Sequence, residues 1–290
     1  MLDLTPQHDF LVAIDSDGCA FDTMELKHKE CFAPHLINAY NLQPISKYAR
    51  ETWEYFNLYS KGRGTNRFPA VVTTMEWLLV RPEVHARGVK ITIPQGLARW
   101  VKEETRLGNP ALKQALERSG DPDLKQALAW SLTVNEQIEQ FVHGVPPFPY
   151  VRECLEKLRP QADMLVCSAT PGEALTREWQ EHKIDGYVAA ICGQEVGSKK
   201  EILAIAKKYQ PSHALMIGDA PGDQRAAEAN DALFFPIMPG DEDRSWRRLL
   251  HEGIDRFLNG AFAGEYQTTL LAEFDAALPA APPWRVNAAP

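Results

Sequence analysis

The feature that most constrains the fold of this chain is a regular alternation of short apolar runs and helix-like segments between residues 145 and 240. Each apolar run has the length of a strand, and the segments between them carry apolar side chains at helical spacing. This order predicts consecutive βαβ units, and therefore a parallel sheet covered by helices on both faces. The predicted strands are Phe10–Ile14, Met164–Cys167, Tyr187–Cys192, Ala214–Ile217 and Ala232–Ile237. The predicted helices run from about Val151 to Leu158, Glu173 to His182 and Lys199 to Tyr209, and one more follows Gly222.

The segment between the first strand and the βαβ units has a different character. Residues 23–144 show helical periodicity and many aromatic residues, without a run of alternating strands. We interpret this segment as an all-helical domain inserted after the first strand. Asp121–Pro122 is a helix-start signal inside it, and Gly144–Pro149 has the proline density of a linker that returns to the sheet. The predicted fold is an α/β core with a Rossmann-like parallel sheet, formed by residues 1–22 and 145–240.

Residues 241–290 are predicted to form a helical C-terminal extension. Apolar side chains at helical spacing continue from Trp246 to Leu278. We expect this stripe to pack on the core rather than to form an oligomer contact. The Ala- and Pro-rich tail after about residue 279 is expected to fray. The oligomeric state stays open.

Composition and charge exclude several classes of partner. The 290 residues include 31 Lys and Arg against 39 Asp and Glu, a formal charge of −8, which repels nucleic acid and anionic membranes. The apolar runs are shorter than the ~18 residues that a membrane span needs, and the N-terminal residues lack the basic region of a signal peptide. The five cysteines include no CxxC pair, and we interpret them as reduced thiols. A cytoplasmic protein without nucleic-acid or membrane partners is expected.

Polar clusters follow the predicted strands. The carboxyl ends of parallel strands meet at one edge of a sheet, where open α/β sheets bind their ligands. Two carboxylates at i and i+2 can divide the work between a nucleophile or metal ligand and a proton donor. A hydroxyl with backbone amides can hold an anionic oxygen. The clusters are Asp15-Ser-Asp17-Gly18, Ser168 with Ala169 and Thr170, Gly197-Ser-Lys199-Lys200, and Gly218-Asp219-Ala-Pro-Gly222-Asp223.

Each cluster alone also has an ordinary structural explanation. Acids and serines after strands cap helices or form turns, and Ser198 with Glu201 can form a capping box beside the two lysines. The conjunction of four clusters on one sheet edge favours a functional site instead. The gathered acids would repel one another without a cation, and oxygen-only ligands favour Mg²⁺. The site is therefore expected to bind a divalent metal and a small anionic substrate.

At these residues the sequence resembles the haloacid dehalogenase-like (HAD) hydrolase superfamily. Its phosphatase members show DxDG, a later Ser or Thr, then Lys, then GDxxxD, and the resemblance covers residues 10–22 and 145–237. It implies that residues 23–144 are a C1-type helical cap that closes over the site and sets specificity. The departure at Cys19, where the family more often has Thr or Val, is expected to be tolerated in the core.

The resemblance also implies a role for each motif residue. Asp15 would be the nucleophile that forms an aspartyl phosphate, and Asp17 the general acid/base whose main-chain carbonyl joins the metal shell. Because dehalogenases and phosphonate-cleaving relatives lack this second aspartate, its presence points to a Mg²⁺-dependent phosphatase. The remaining implied roles are phosphoryl binding by Ser168 and Ala169, charge neutralisation by Lys199 in preference to Lys200, Mg²⁺ ligation by Asp219, and support of that shell by Asp223.

The substrate and the reaction class stay open. The loop Lys61-Gly-Arg63-Gly-Thr-Asn-Arg67 is basic in an otherwise acidic chain, so Arg63 and Arg67 either reach a polar or anionic part of the substrate or form a solvated loop. His28 is a weaker candidate, for which ordinary packing is favoured. A small phosphorylated metabolite is the expected substrate. A phosphomutase of the same superfamily and a non-catalytic binding protein are the alternatives.

Overall fold

The computed structural model describes residues 4–286, and within them the core is a five-stranded parallel sheet. The strand order is β3-β2-β1-β4-β5, which places the first strand at the centre. The strands are β1 (Phe10–Ile14), β2 (Ala162–Cys167), β3 (Ala190–Cys192), β4 (Ala214–Gly218) and β5 (Leu233–Pro236). The predicted α/β fold with a parallel sheet is confirmed.

Both faces of the sheet are covered, which explains why its strands are apolar without interruption. Val12 and Ile14 pack in a cluster on one face, and Leu11 and Ala13 pack in a cluster on the other. The predicted third strand is too long, because Asp185–Tyr187 forms a 3₁₀ turn and the edge strand pairs only with β2.

Every regular element of the inserted segment, over the described residues 25–142, is a helix. Its core contains the buried side chains of Trp53, Phe68 and Trp130. The Asp121 carboxylate caps the last helix by accepting from the amide of Asp123 at 2.9 Å, as the Asp-Pro signal predicts. The helices are α1 (Thr23–Leu26), α2 (Ala33–Ala39), α3 (Ser46–Leu58), α4 (Arg67–Leu79), α5 (Pro82–Ala86), α6 (Gln95–Glu103), α7 (Asn109–Ser119) and α8 (Pro122–Phe141). A π-helical segment, Lys27–Phe32, joins α1 to α2, and a 3₁₀ turn, Gln43–Ile45, precedes α3.

The helices of the α/β core follow the sequence-based pattern closely. The predicted helix from Lys199 to Tyr209 is an α-helix followed by a 3₁₀ turn, Ala204–Lys208. The apolar stripe from Trp246 to Leu278 packs on the sheet, as predicted, with Trp246 fully buried. These helices are α9 (Val151–Leu158), α10 (Gly172–Glu181), α11 (Lys199–Leu203), α12 (Pro221–Glu228), α13 (Glu242–Arg248), α14 (Ile254–Leu258) and α15 (Glu265–Ala277), with a π-helical segment, Leu249–Gly253, between α13 and α14.

The chain divides into two compact units. Residues up to 24 and 143–278 form the α/β unit, and residues 25–142 form the helical unit together with the segment that starts at Pro279. The division lies close to the predicted boundaries at residues 23 and 144. No helix among residues 4–286 is both long enough and apolar enough to cross a membrane.

The segment after Leu278 was predicted to fray at the end of an extension of the core, but in the structure it belongs to the helical unit. The Pro279 carbonyl accepts from the Lys61 amide at 3.1 Å, and the Trp284 ring lies 4.2 Å from the Arg81 guanidinium. A last helix, α16 (Pro283–Val286), follows. The physical reason is that the indole ring of Trp284 stacks on the guanidinium of Arg81, which is buried. Residues 287–290 of the predicted tail lie outside the described residues.

Asp163 on β2 anchors the N-terminal segment. Its carboxylate accepts from the amides of Gln7 at 2.9 Å and His8 at 3.2 Å, and from the Tyr209 hydroxyl at 2.8 Å. The Nδ1 atom of His8 lies 3.0 Å from its other oxygen. Burial acts to raise the pKa of Asp163, but these hydrogen bonds outweigh burial and lower it below its usual value.

Replacement of this carboxylate is expected to destabilise the fold in a pH-dependent way. A lowered pKa means that Asp163 stabilises the folded state above the unfolded-state pKa of about 3.9, and that this stabilisation is lost as the pH falls through the folded-state value. Asp163→Asn is expected to lower the free energy of unfolding by about 1–3 kcal/mol at pH 7. Urea denaturation at pH 7 and near pH 3 measures this, with exposed Asp243→Asn as the control. An equal loss at both pH values would contradict the assignment.

Candidate active site

The predicted site residues leave the carboxyl edge of the sheet. In the sheet register, Ile14 pairs with Val166 on one side and with Ile217 on the other. Asp15 therefore leaves the central strand between the ends of β2 and β4, which lead into Ser168 and Asp219. Parallel pairing thus brings together residues from three separate parts of the chain.

Lys199 joins two of the carboxylates. Its Nζ lies 2.5 Å from Asp15 Oδ2 and 2.5 Å from Asp223 Oδ1. The other oxygen of Asp223 accepts from the amides of Asp219 at 3.2 Å and Ala220 at 3.1 Å. Gly218 is required here, since a Cβ at this position would lie 2.5 Å from the Asp223 carboxylate. The closing turn after β4 is thus built around Asp223.

The start of α11 determines which lysine enters the cluster. Ser198 and Glu201 form the predicted capping box, in which the Ser198 amide donates to Glu201 at 2.7 Å. With the helix start held in this way, Lys199 points to Asp15 and Lys200 is exposed. The structure brings Lys199, and not Lys200, to the candidate site.

Three buried carboxylates form a group that fits a divalent cation. Oxygens of Asp15, Asp219 and Asp223 all lie within 4.8 Å of one another. Their three negative charges face one lysine, so a divalent cation would balance the remainder, and an all-oxygen donor set suits Mg²⁺. The Asp17 carboxylate is not part of this group. The prediction that Asp17 belongs to the metal site stays untested, because the resemblance assigns that contact to its main-chain carbonyl.

The acids and the lysine shift one another's proton affinities. Burial raises the pKa of Asp15 to about 8, an effect that Lys199 opposes and that the charges of Asp223 and Asp219 increase. Burial acts to lower the pKa of Lys199, but Asp15 and Asp223 outweigh burial and raise it well above its usual value. Asp15 therefore depends on neighbouring positive charge to act as a carboxylate.

Asp17 lies in a different environment from Asp15. One carboxylate oxygen accepts from the Thr170 hydroxyl at 2.6 Å, and the other accepts from the Thr23 hydroxyl. Gly18, at φ +76°, turns the chain directly after it. The sequence analysis named Thr170 only as a neighbour of Ser168, and it identified neither Thr23 nor the link of either threonine to Asp17. Thr23 is separated from Asp17 by a turn, and no motif marks it.

Ser168 and Ala169 follow β2 at the same edge. The Ser168 amide donates to the Cys192 carbonyl at 3.1 Å, and the Ser168 Oγ accepts from the Thr170 amide at 3.4 Å. Ser168 is buried and Ala169 is exposed. This loop thus supplies a buried hydroxyl at the edge of the sheet from which Asp15 and Asp219 also leave.

A family model of haloacid dehalogenase-like hydrolases matches residues 11–231 of the chain. The chain belongs to this family. It is therefore a HAD-like hydrolase, and the resemblance seen in the sequence motifs is confirmed. No curated protein matches the chain.

Three solved structures are among those to which the chain is similar. A predicted phosphoglycolate phosphatase from Haemophilus somnus 129PT has 15% identity and a TM-score of 0.41, covering 81% of this chain and 88% of its own. A HAD-like family hydrolase from Streptococcus pneumoniae has 12% identity and a TM-score of 0.42, covering 87% and 98%. L-2-haloacid dehalogenase from Xanthobacter autotrophicus has 15% identity and a TM-score of 0.38, covering 92% and 86%. The assignment of this HAD-like hydrolase rests on the family model.

The cysteines of the HAD-like hydrolase are all free and buried. Cys19, the departure from the family motif, is fully buried, and its Sγ lies 3.6 Å from the Ile217 carbonyl. Burial raises its pKa well above the usual value. It thus packs as a core thiol, in agreement with the expectation from the sequence.

The basic loop of the helical unit holds its arginines internally. Arg63 is buried and donates to the Leu58 carbonyl at 2.8 Å. Arg67 donates to Ser131 Oγ at 3.0 Å and to Asn135 Oδ1 at 2.6 Å, and burial lowers its pKa to about 10. The alternative of a solvated loop is wrong for Arg63, while contact of either arginine with substrate stays a prediction.

His28 lies among aromatic rings in the helical unit. Its ring stacks on Phe32 at 4.8 Å between centroids, and it lies 5.7 Å from the Trp53 ring. The Arg67 guanidinium lies over the same Phe32 ring at 5.0 Å. This surrounding agrees with the packing role that the sequence favoured for His28.

Mg²⁺ is expected to stabilise the protein through the carboxylate group. Binding to the folded state at about 100 times Kd adds about 2.7 kcal/mol to the free energy of unfolding. Asp219→Asn should lose most of the Mg²⁺-dependent rise in Tm, which EDTA reverses in the wild type. Exposed Asp231→Asn is the matched control. An equal rise in Asp219→Asn would show that the metal binds elsewhere.

Proposed function

We propose that this HAD-like hydrolase is a Mg²⁺-dependent phosphatase that cleaves a small phosphorylated metabolite through an aspartyl phosphate on Asp15. The observation that carries the proposal is the contrast between two carboxylates separated by one residue. Asp15 contacts the half-buried Lys199, whereas Asp17 accepts hydrogen bonds from the hydroxyls of Thr170 and Thr23. These environments suit a nucleophile and a proton-transfer group, respectively.

The first half of the reaction transfers the phosphoryl group to the enzyme. An oxygen of Asp15 attacks phosphorus while the bond from phosphorus to the leaving oxygen breaks, and Asp17 donates a proton to that oxygen. Lys199 and the Ser168 hydroxyl would bind the phosphoryl oxygens as their charge is redistributed. Bound Mg²⁺, held by Asp15, Asp219 and Asp223, would supply further positive charge.

The second half returns the enzyme to its starting state. Asp17, now a carboxylate, takes a proton from water as the water oxygen attacks phosphorus. The bond between phosphorus and the Asp15 oxygen breaks, so phosphate leaves and the carboxylate of Asp15 is restored. The threonines that hold Asp17 would keep its two oxygens oriented through both proton transfers.

The second aspartate supports phosphate-ester chemistry over dehalogenation. By resemblance to the family, the dehalogenating members lack an aspartate at this position, since a halide leaving group needs no proton. This chain carries Asp17 and positions it with two hydroxyls. A non-catalytic role is disfavoured because a binding protein would not require this division between the two carboxylates.

The HAD-like hydrolase should release phosphate from phosphomonoesters only with Mg²⁺. Asp15→Asn is expected to reduce kcat to background, and Lys199→Met to reduce it by at least about 100-fold, as for loss of one charge-stabilising donor. Lys200→Met, one residue away and exposed, is the matched control. Phosphate release from p-nitrophenyl phosphate and a sugar-phosphate panel measures this. Equal activity of wild type and Asp15→Asn would refute the nucleophile, and turnover that requires a bisphosphate activator would identify a phosphomutase.

The arginines of the helical unit are proposed to contribute to substrate recognition. Arg63→Ala and Arg67→Ala should each lower kcat/KM on the best substrate, by about 10-fold or more for a lost charged hydrogen bond. Exposed Arg118→Ala is the control, and Tm values separate recognition from the packing roles of Arg63 and Arg67. Unchanged kcat/KM in both variants would remove these residues from the site. From composition and motifs, a cytoplasmic location and a small phosphorylated metabolite as partner are also proposed.

A further inference from the structure

Ser16 lies between the two carboxylates of the reaction in the sequence, and its hydroxyl hydrogen-bonds to neither of them. It is fully buried. Its hydroxyl donates to Glu178 Oε2 at 3.0 Å and accepts from Trp179 Nε1 at 3.0 Å, and both partners belong to α10. Two hydrogen bonds therefore fasten this side chain to a helix.

The backbone of Ser16 fixes the loop on both sides. Its amide donates to Asp15 Oδ1 at 2.8 Å, which orients the carboxylate that faces Lys199. Its carbonyl accepts from the amides of Ala20 at 2.9 Å and Phe21 at 3.0 Å, which closes the turn that follows Asp17. A displacement of Ser16 would therefore move both carboxylates at once.

The segment that leads into the same helix holds Asp17. Thr170, which donates to the Asp17 carboxylate, comes just before α10, and Glu178 and Trp179 lie near the end of that helix. The fully buried Trp179 ring also packs edge-on against Phe21, with centroids 5.9 Å apart. α10 thus contacts the catalytic loop at Ser16 and at the closing turn, and the residue Thr170 just before the helix contacts the acid/base.

We infer that Ser16, held by Glu178 and Trp179, is a positioning residue that sets the geometry of Asp15 and Asp17 through its attachment to α10. The inference rests on the proposed phosphatase reaction. The Ser16 hydroxyl bonds to these two residues of α10 and not to the phosphoryl-binding groups Ser168 and Lys199. Loss of the hydroxyl should therefore lower kcat more than it changes KM, since a misplacement of about 1 Å can cost about 100-fold in rate.

The test compares kcat and KM for Ser16→Ala, Trp179→Phe, Glu178→Leu and Glu178→Gln on p-nitrophenyl phosphate with Mg²⁺. Ser16→Ala is expected to lose about 10–100-fold in kcat, with KM changed by less than about 3-fold. Glu178→Gln, which keeps an acceptor, should retain more kcat than Glu178→Leu. The control is Ser245→Ala, another buried serine of the α/β unit, whose hydroxyl accepts from the Met238 amide and donates to the Asp241 carbonyl.

The outcomes separate the positioning role from the proposed function. Unchanged kcat in Ser16→Ala, or a rise in KM alone, overturns the inference, and so does an equal loss in Ser245→Ala. If Ser16→Ala does not fold, Glu178→Leu, Glu178→Gln and Trp179→Phe test the inference by the same measurement, a loss of kcat with little change in KM. If the wild type cleaves no phosphomonoester, the proposed function fails. Amide hydrogen exchange of residues 15–21 then tests whether Ser16 positions the loop. Faster exchange in Ser16→Ala or Glu178→Leu then supports positioning of the loop, and unchanged exchange overturns it.

Discussion

The contact of Lys199 with Asp15 and Asp223 is the interaction on which the candidate site depends. Burying two carboxylates without compensation would be costly, and removing one partner of a buried ion pair destabilises strongly because the other charge is left unpaired. Lys199 is 184 positions from Asp15 along the chain, so the pair forms only when the sheet is assembled. The parallel order of the sheet is thus a condition for the chemistry as well as for the fold.

Two aspartates separated by one residue have different chemistry because their surroundings differ. Asp15 is surrounded by charges, and burial raises its pKa, whereas Asp17 accepts hydrogen bonds from two neutral hydroxyls. Ser16, between them, starts a turn and attaches the loop to α10 through its hydroxyl. One short segment therefore carries a nucleophile, an anchor and an acid/base.

The sequence predicted elements most accurately where local pattern and burial agree. Phe10–Ile14 was predicted at its observed bounds, because a strand buried on both faces is a continuous apolar run. The edge strand was predicted too long, since Tyr187 is as apolar as a strand residue but belongs to a 3₁₀ turn beyond the end of pairing. The tail was predicted to fray from its Ala and Pro content, although Trp284 stacks on buried Arg81. The composition of the tail does not show which surface its side chains contact.

The sequence by itself determined the parallel α/β core and the helical insert, because both depend on periodicity between near neighbours. It also determined the set of motif residues at the carboxyl edge, because the ends of parallel strands must meet there. Only the tertiary structure decided that Lys199 rather than Lys200 faces Asp15, that Thr23 and Thr170 hold Asp17, and that Arg63 is internal. These contacts depend on side-chain direction and on packing between distant segments. Local sequence pattern carries neither kind of information.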